Sequence, residues 1–234
     1  MTSHRPSFVF FDLDDTLLDH RAAERAALAD CHTRFAEHFN GHDLAEVQAT
    51  YHTGNVPLWR RYAAGEINRE DVQRLRFEAL VEAFELALGP AELGEAYLGC
   101  YAERWQWIDG AEAAFHAVAD RFPVGLLTNG FADVQHAKLD QFPVLRERSR
   151  AVVVSEEVGV MKPHGGIFAH AAERAGAAPG GILYVGDSRT SDVEGGRAAG
   201  WRVAWFRGDA NAEAVDEGVL VFDEWDVLID ALVR

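Results

Sequence analysis

The sequence predicts an α/β protein: a doubly wound parallel sheet whose first strand is separated from the others by a long helical insert. Three observations predict it. Short apolar runs, rich in β-branched and aromatic residues and without polar alternation, read as strands buried on both faces. Helical stretches alternate with these runs from residue 108 onward, as crossover connections between parallel strands require. Residues 20 to 107, by contrast, carry apolar side chains only at helical spacing.

In chain order, the first strand is "FVFF" at 8–11. The insert follows, with helices expected in "RAAERAALADCHTRFAEHF", "REDVQRLRFEALVEAFELAL" and "PAELGEAYLGCYAERW". "GAEAAFHAVADRF" then returns the chain as a helix to a second strand, "VGLL" at 124–127. "FADVQHAKLDQF" leads to strand three, "AVVV" at 151–154, and "GIFAHAAERAG" to strand four, "ILYV" at 182–185. "SDVEGGRAAG" precedes a fifth, "RVAWF" at 202–206. The expected division is a Rossmann-like core of residues 1–19 and 108–234 with an all-helical cap domain of residues 20–107. Its hinges fall near Asp19–Arg21 and Ile108–Gly110.

Of the 234 residues, 48% are hydrophobic and 26% charged, an ordinary globular balance. A formal charge of −16 argues against nucleic acid as a partner, because phosphate backbones demand clustered Lys and Arg. Cys31 and Cys100 match no zinc spacing and read as free thiols of a reducing compartment. The opening "MTSHRPSF" lacks the pattern of a signal peptide, and no apolar run approaches the roughly 20 residues of a membrane span. A cytoplasmic protein with no membrane partner is expected.

Ligands of open parallel sheets bind at the carboxyl ends of the strands. There the chain places "DLDDT" after strand one, "TNG" after strand two, the loop "SEEVGVMKP" after strand three and "GDSRTSD" after strand four. Asp12, Asp14 and Asp187 gathered at one edge would form a hard oxygen site of the kind magnesium prefers. Read singly, "DLDDT" also suits a solvated turn and "GDSRTSD" a helix cap. Lys162, held extended before Pro163, can screen the carboxylates and bind a phosphate as a point charge, or lie on the surface. Thr128 and Asn129 offer a hydroxyl, an amide and backbone N–H groups to phosphate oxygens, and equally suit a turn.

These residues in this order resemble the haloacid dehalogenase (HAD) superfamily across essentially the whole chain. Its D-x-D-x-T motif is "DLDDT", its strand-two Thr is Thr128, its Lys is Lys162, and its final acidic pair is Asp187 with Asp192. The resemblance implies that Asp12 attacks phosphorus to form an aspartyl-phosphate, while Asp14 protonates the leaving oxygen and then activates water. It implies magnesium held by Asp12, the backbone carbonyl of Asp14 and Asp187, with Asp192 supporting them. It also implies a phosphatase, since dehalogenases of the superfamily lack an Asp at the place of Asp14. A phosphomutase is compatible with the helical insert.

Longer stretches, "VPLWRRYAAGEINREDVQRLRFEAL", "LLTNGFADVQHAKL" and "VVVSEEVGVMKPHGGIF", look like the pyrimidine 5′-nucleotidases. The expected activity is magnesium-dependent hydrolysis of a small phosphorylated metabolite, with a nucleoside 5′-monophosphate foremost. Sugar-phosphate, N-acylneuraminate-phosphate and phosphoglycolate phosphatases of the superfamily are the alternatives, and a phosphoacceptor signalling module without turnover is a more distant one. Trp59, Tyr62, Phe77, Trp105 and Trp107 suit the core of the cap, with base stacking the rival use. His136, His164 and Arg189 flank the active edge; a surface role and substrate contact are both open to them.

Overall fold

The structure is a computed structural model that describes residues 5–39, 41–207 and 218–232; residues 1–4 of the opening segment lie outside them. The chain folds as two compact units, Met1–Asp19 with Trp107–Arg234, and His20–Gln106. Trp107, placed by the sequence reading at the end of the insert, belongs to the first of these. Its backbone bridges to Leu18, the Ile108 N–H donates to the Leu17 carbonyl at 2.9 Å, and its ring packs on Phe115 and Phe142.

The sheet unit begins with β1 (Phe8–Phe11). The helical unit then supplies α1 (His20–Arg34), α2 (Ala36–Phe39), α3 (Leu44–Ala63), α4 (Arg69–Ala83) and α5 (Pro90–Glu103). The chain resumes with α6 (Ala111–Ala119), β2 (Val124–Thr128), α7 (Ala132–Gln141), α8 (Pro143–Arg148) and β3 (Ser149–Val154). Next come α9 (Ser155–Val158), α10 (Gly165–Ala175), β4 (Ile182–Gly186) and a π-helical turn at Arg189–Glu194 that runs into α11 (Gly195–Ala198). The unit closes with β5 (Arg202–Phe206), β6 (Leu220–Phe222) and α12 (Trp225–Leu232).

All described strand pairs are parallel, in the order β3-β2-β1-β4-β5-β6. After β1 the chain builds outward through β2 and β3, then returns to the other side of β1 with β4. The direction of winding therefore reverses at β1, and the carboxyl ends of β1 and β4 form the crevice expected to take a ligand. The strands read as continuous apolar runs because both faces are covered. Val9 and Phe11 pack with α6 and α12 through Phe115, Val118 and Leu228. Phe8 and Phe10 pack on the opposite face with Ile167, Phe168 and Trp201.

The sequence reading missed β6 and α12. β6 has only three residues, too few to show a period. α12 did carry a signal, since Trp225, Leu228 and Leu232 fall on one helical face and are buried. The irregular "DQFPVLRERSR" is explained by α8, which Pro143 opens before β3 starts.

Within the helical unit, α3 packs on α4, and α5 packs on α1 and α4. Tyr51, Phe77 and Tyr97 form its aromatic centre, with ring centroids 5.2–5.7 Å apart. Asn68 and Asp71 cap α4 reciprocally, each side chain accepting from the other's backbone N–H. No helix among the described residues is long and apolar enough to cross a membrane.

Candidate active site

Every strand end near the winding reversal delivers a polar group. β1 ends into Asp12, whose N–H donates to the Val185 carbonyl of β4 at 2.8 Å, so the backbone pairing of the sheet fixes its position. β4 ends at Gly186, followed by Asp187. The Asp187 carbonyl accepts from the Trp205 indole at 2.7 Å, and its Oδ1 lies 3.4 Å from the Thr16 hydroxyl. The π-helical turn carries Asp192, and its extra residue per turn shows in the Val193 N–H donating back to the Ser188 carbonyl. A Cβ on Gly186 would stand 2.5 Å from the Asp192 carboxyl, so only glycine lets that carboxylate lie against the strand end.

Lys162 is the centre of the cluster. Its side chain is buried, and Nζ donates to Asp12 Oδ1 at 2.7 Å, Asp192 Oδ1 at 2.8 Å and the Tyr184 hydroxyl at 2.6 Å. The Tyr184 hydroxyl donates in turn to the Leu127 carbonyl at 2.8 Å. The Lys162 backbone is tied to β2 by a reciprocal pair: its N–H donates to Asn129 Oδ1 at 2.8 Å, and the Asn129 amide donates to its carbonyl at 3.0 Å. Burial pulls the Lys162 ammonium toward deprotonation, but Asp12 and Asp192 outweigh it and hold the group charged above the usual lysine range. Burial pushes the Asp12 carboxyl well above the ordinary carboxylate value; Lys162 opposes this, while Asp192 and Asp187 add to it. The Lys162 ammonium thus bridges two carboxylates, and the half-buried Asp187 stands beside them.

That grouping of carboxylates fits a divalent cation. Asp12, Asp187 and Asp192 each offer an oxygen, and these atoms lie within 4.8 Å of one another. An all-oxygen set suits a hard ion such as magnesium rather than a soft one. Asp192, expected to act from behind the ligands, therefore stands among the grouped carboxylates as well as bonding Lys162.

Asp14 differs from the sequence expectation of a third converging carboxylate. Its side chain turns toward α7, where Lys138 Nζ donates to Oδ1 at 2.6 Å and Gln135 Nε2 to Oδ2 at 3.0 Å. Gln135 Nε2 also lies 2.6 Å from the buried Thr128 hydroxyl and 3.2 Å from the Asn129 carbonyl. Two aspartates two residues apart thus occupy separate environments. Sequence reasoning missed Gln135 and Lys138. The available signal was two polar residues, three apart, on the buried face of α7 beside Leu139.

The three flanking candidates have structural partners. His136 Nε2 lies 2.8 Å from Glu157 Oε1, the His164 ring caps α10 by accepting from the Gly166 N–H, and Arg189 pairs with Glu194 on the surface.

The family model of haloacid dehalogenase-like hydrolases matches residues 7–200. The chain belongs to that family. It is accordingly a hydrolase. Among HAD relatives, the pyrimidine 5′-nucleotidase YjjG of Escherichia coli (strain K12) is 33% identical over 213 residues, covering 91% of this chain and 90% of that protein. The phosphoserine phosphatase of Thermus thermophilus is 34% identical over 223 residues, covering 84% of this chain and 87% of the relative. The crystal structure of the HAD-hydrolase YfnB from Bacillus subtilis bound to magnesium superposes with a TM-score of 0.83 at 29% identity, covering 99% of this chain and 100% of that one.

Proposed function

We propose that this protein is a magnesium-dependent phosphomonoester hydrolase of a small phosphorylated metabolite, with nucleoside 5′-monophosphates foremost. The observation that carries the reading is the buried Lys162 ammonium bridging Asp12 and Asp192 beside Asp187, with Asp14 held separately by α7. In this reading a carboxylate oxygen of Asp12 bonds to phosphorus as the P–O ester bond breaks. Asp14 gives its proton to the departing alkoxide. It then takes one from the water that attacks phosphorus, and this second step releases inorganic phosphate and restores Asp12.

Lys162 offsets charge on the transferring group, and the Thr128 hydroxyl with neighbouring N–H groups orients its oxygens. Magnesium would be held by Asp12, Asp187, Asp192 and the Asp14 backbone carbonyl, and when bound it supplies charge neutralisation at the phosphate. The relation to YjjG supports nucleotides as substrates, and the relation to a phosphoserine phosphatase supports a second reading with an amino-acid phosphate. A cytoplasmic setting accompanies this proposal, supported by Cys31 and Cys100 standing as free thiols.

The test is phosphate release across nucleoside monophosphates, phosphoserine, sugar phosphates, N-acylneuraminate 9-phosphate and phosphoglycolate, with magnesium or with a chelator. The expected result is multiple turnover that requires the metal and disappears in Asp12→Asn. Undiminished turnover by Asp12→Asn would overturn the mechanism. One equivalent of alcohol freed with the phosphoryl group retained on the protein would favour a phosphoacceptor module.

A further inference from the structure

A helix that covers a parallel sheet ordinarily buries apolar side chains, yet two of the three buried residues of α7 are Gln135 and Lys138. The Lys138 side chain is 2% exposed and its ammonium meets Asp14 Oδ1 at 2.6 Å. Gln135 is 1% exposed, and its amide nitrogen reaches Asp14 Oδ2, Thr128 Oγ1 and the Asn129 carbonyl. The preceding turn is shaped for that amide. Gly130 has φ +156°, and a Cβ there would stand 2.9–3.0 Å from Gln135 side-chain atoms.

Burying an ammonium and an amide is costly unless their partners need them. Here both partners lie on Asp14, one to each carboxylate oxygen. We propose that Gln135 and Lys138 are positioning residues for Asp14. They fix the plane and direction of its carboxylate, and Gln135 ties it to the residue that orients the phosphate. α7 is then part of the proton-transfer apparatus. The inference rests on the phosphatase reading above.

The two chemical steps differ in a way that isolates this role. p-Nitrophenolate leaves as a stable anion, so forming the aspartyl-phosphate from p-nitrophenyl phosphate needs no proton from Asp14. Hydrolysis of that intermediate still needs Asp14 to take a proton from water. With magnesium and p-nitrophenyl phosphate under stopped flow, Lys138→Met should give its first equivalent of p-nitrophenolate at close to the wild-type rate. Later turnovers should be slowed about 100-fold. Lys138→Arg should recover most of that loss. In an Asp14→Asn background, Lys138→Met should cost no further rate.

Equal slowing of both phases, or an undiminished second phase, would overturn the proposal, as would additive losses in the double variant. Lys138→Leu, scored in the same way, carries the test if Lys138→Met does not fold. Failure of the underlying reading looks different: wild-type protein would release no p-nitrophenolate with magnesium, or Asp12→Asn would match it.

Discussion

Each unit of this molecule buries a cation, and the two are housed in opposite ways. In the sheet unit, Lys162 is surrounded by oxygen: two carboxylates and a phenol within 2.8 Å. In the helical unit, Arg76 is buried among rings, its guanidinium 5.0 Å from the Phe77 centroid and 5.5 Å from that of Tyr97. Among the described residues its Nε meets no hydrogen-bond partner. Glu24, the buried carboxylate of that unit, is engaged by His52 at 3.1 Å. Under the proposed function, the contrast separates a buried charge that serves chemistry from one that serves packing. Around Lys162, two carboxylates bond the ammonium directly, and with Asp187 they offer oxygens to a further cation. Around Arg76, the flat ion is stabilised by ring faces and by its own long stem.

Asp12 is where this contrast meets its most severe test. In the proposed mechanism Asp12→Asn removes the nucleophile, and turnover measured as phosphate release should fall by more than about 10,000-fold. Lys162→Met attacks the same cluster from its positive side. It leaves Asp12 and Asp192 buried without their counter-ion, and urea denaturation should report a loss of about 3–5 kcal/mol. Arg76→Met is the matched experiment in the helical unit. Its guanidinium lies over ring faces and no carboxylate among the described residues bonds it directly, so the same measurement should move by less, about 1 kcal/mol.

Protonation separates the two environments further. The Asp12 carboxyl lies well above its ordinary value in the folded chain because of burial. Between the ordinary and the raised value, the folded state binds more protons than the unfolded one, so stability falls as pH rises through that window. Melting temperatures in a chelator should therefore decline as pH rises above the ordinary carboxylate range, and magnesium should flatten that slope. A slope of opposite sign would mean that Asp12 is stabilised as a carboxylate without the metal. The smallest expected effect is at Arg189, whose pairing with Glu194 is exposed; Arg189→Ala should leave the melting temperature unchanged.

The site was legible in the sequence where its residues follow strands directly. Asp12, Thr128, Asn129 and Asp187 can be found by reading one or two residues past an apolar run, since strand ends project onto one edge. Lys162 was legible through Pro163. Gln135 and Lys138 were not, because a helical polar residue looks the same whether it faces solvent or a buried carboxylate. After Pro163, His164 serves as a helix cap, a contact that spans only two residues.

The order of residues alone was enough to establish the alternation of strand and helix, the long helical interruption and the clustering of acids at strand ends. Local pattern suffices there, because a period of apolar residues and a strand terminus are properties of neighbouring positions. Which carboxylates share a cation, and which is held by α7, emerged from the folded arrangement. Asp12 and Asp14 lie two residues apart, yet their surroundings come from elements 121 to 180 residues away in the chain: Asp14 meets Gln135, and Asp12 meets Asp192 through Lys162. Charge environment is set by such distant partners, and no local pattern records them.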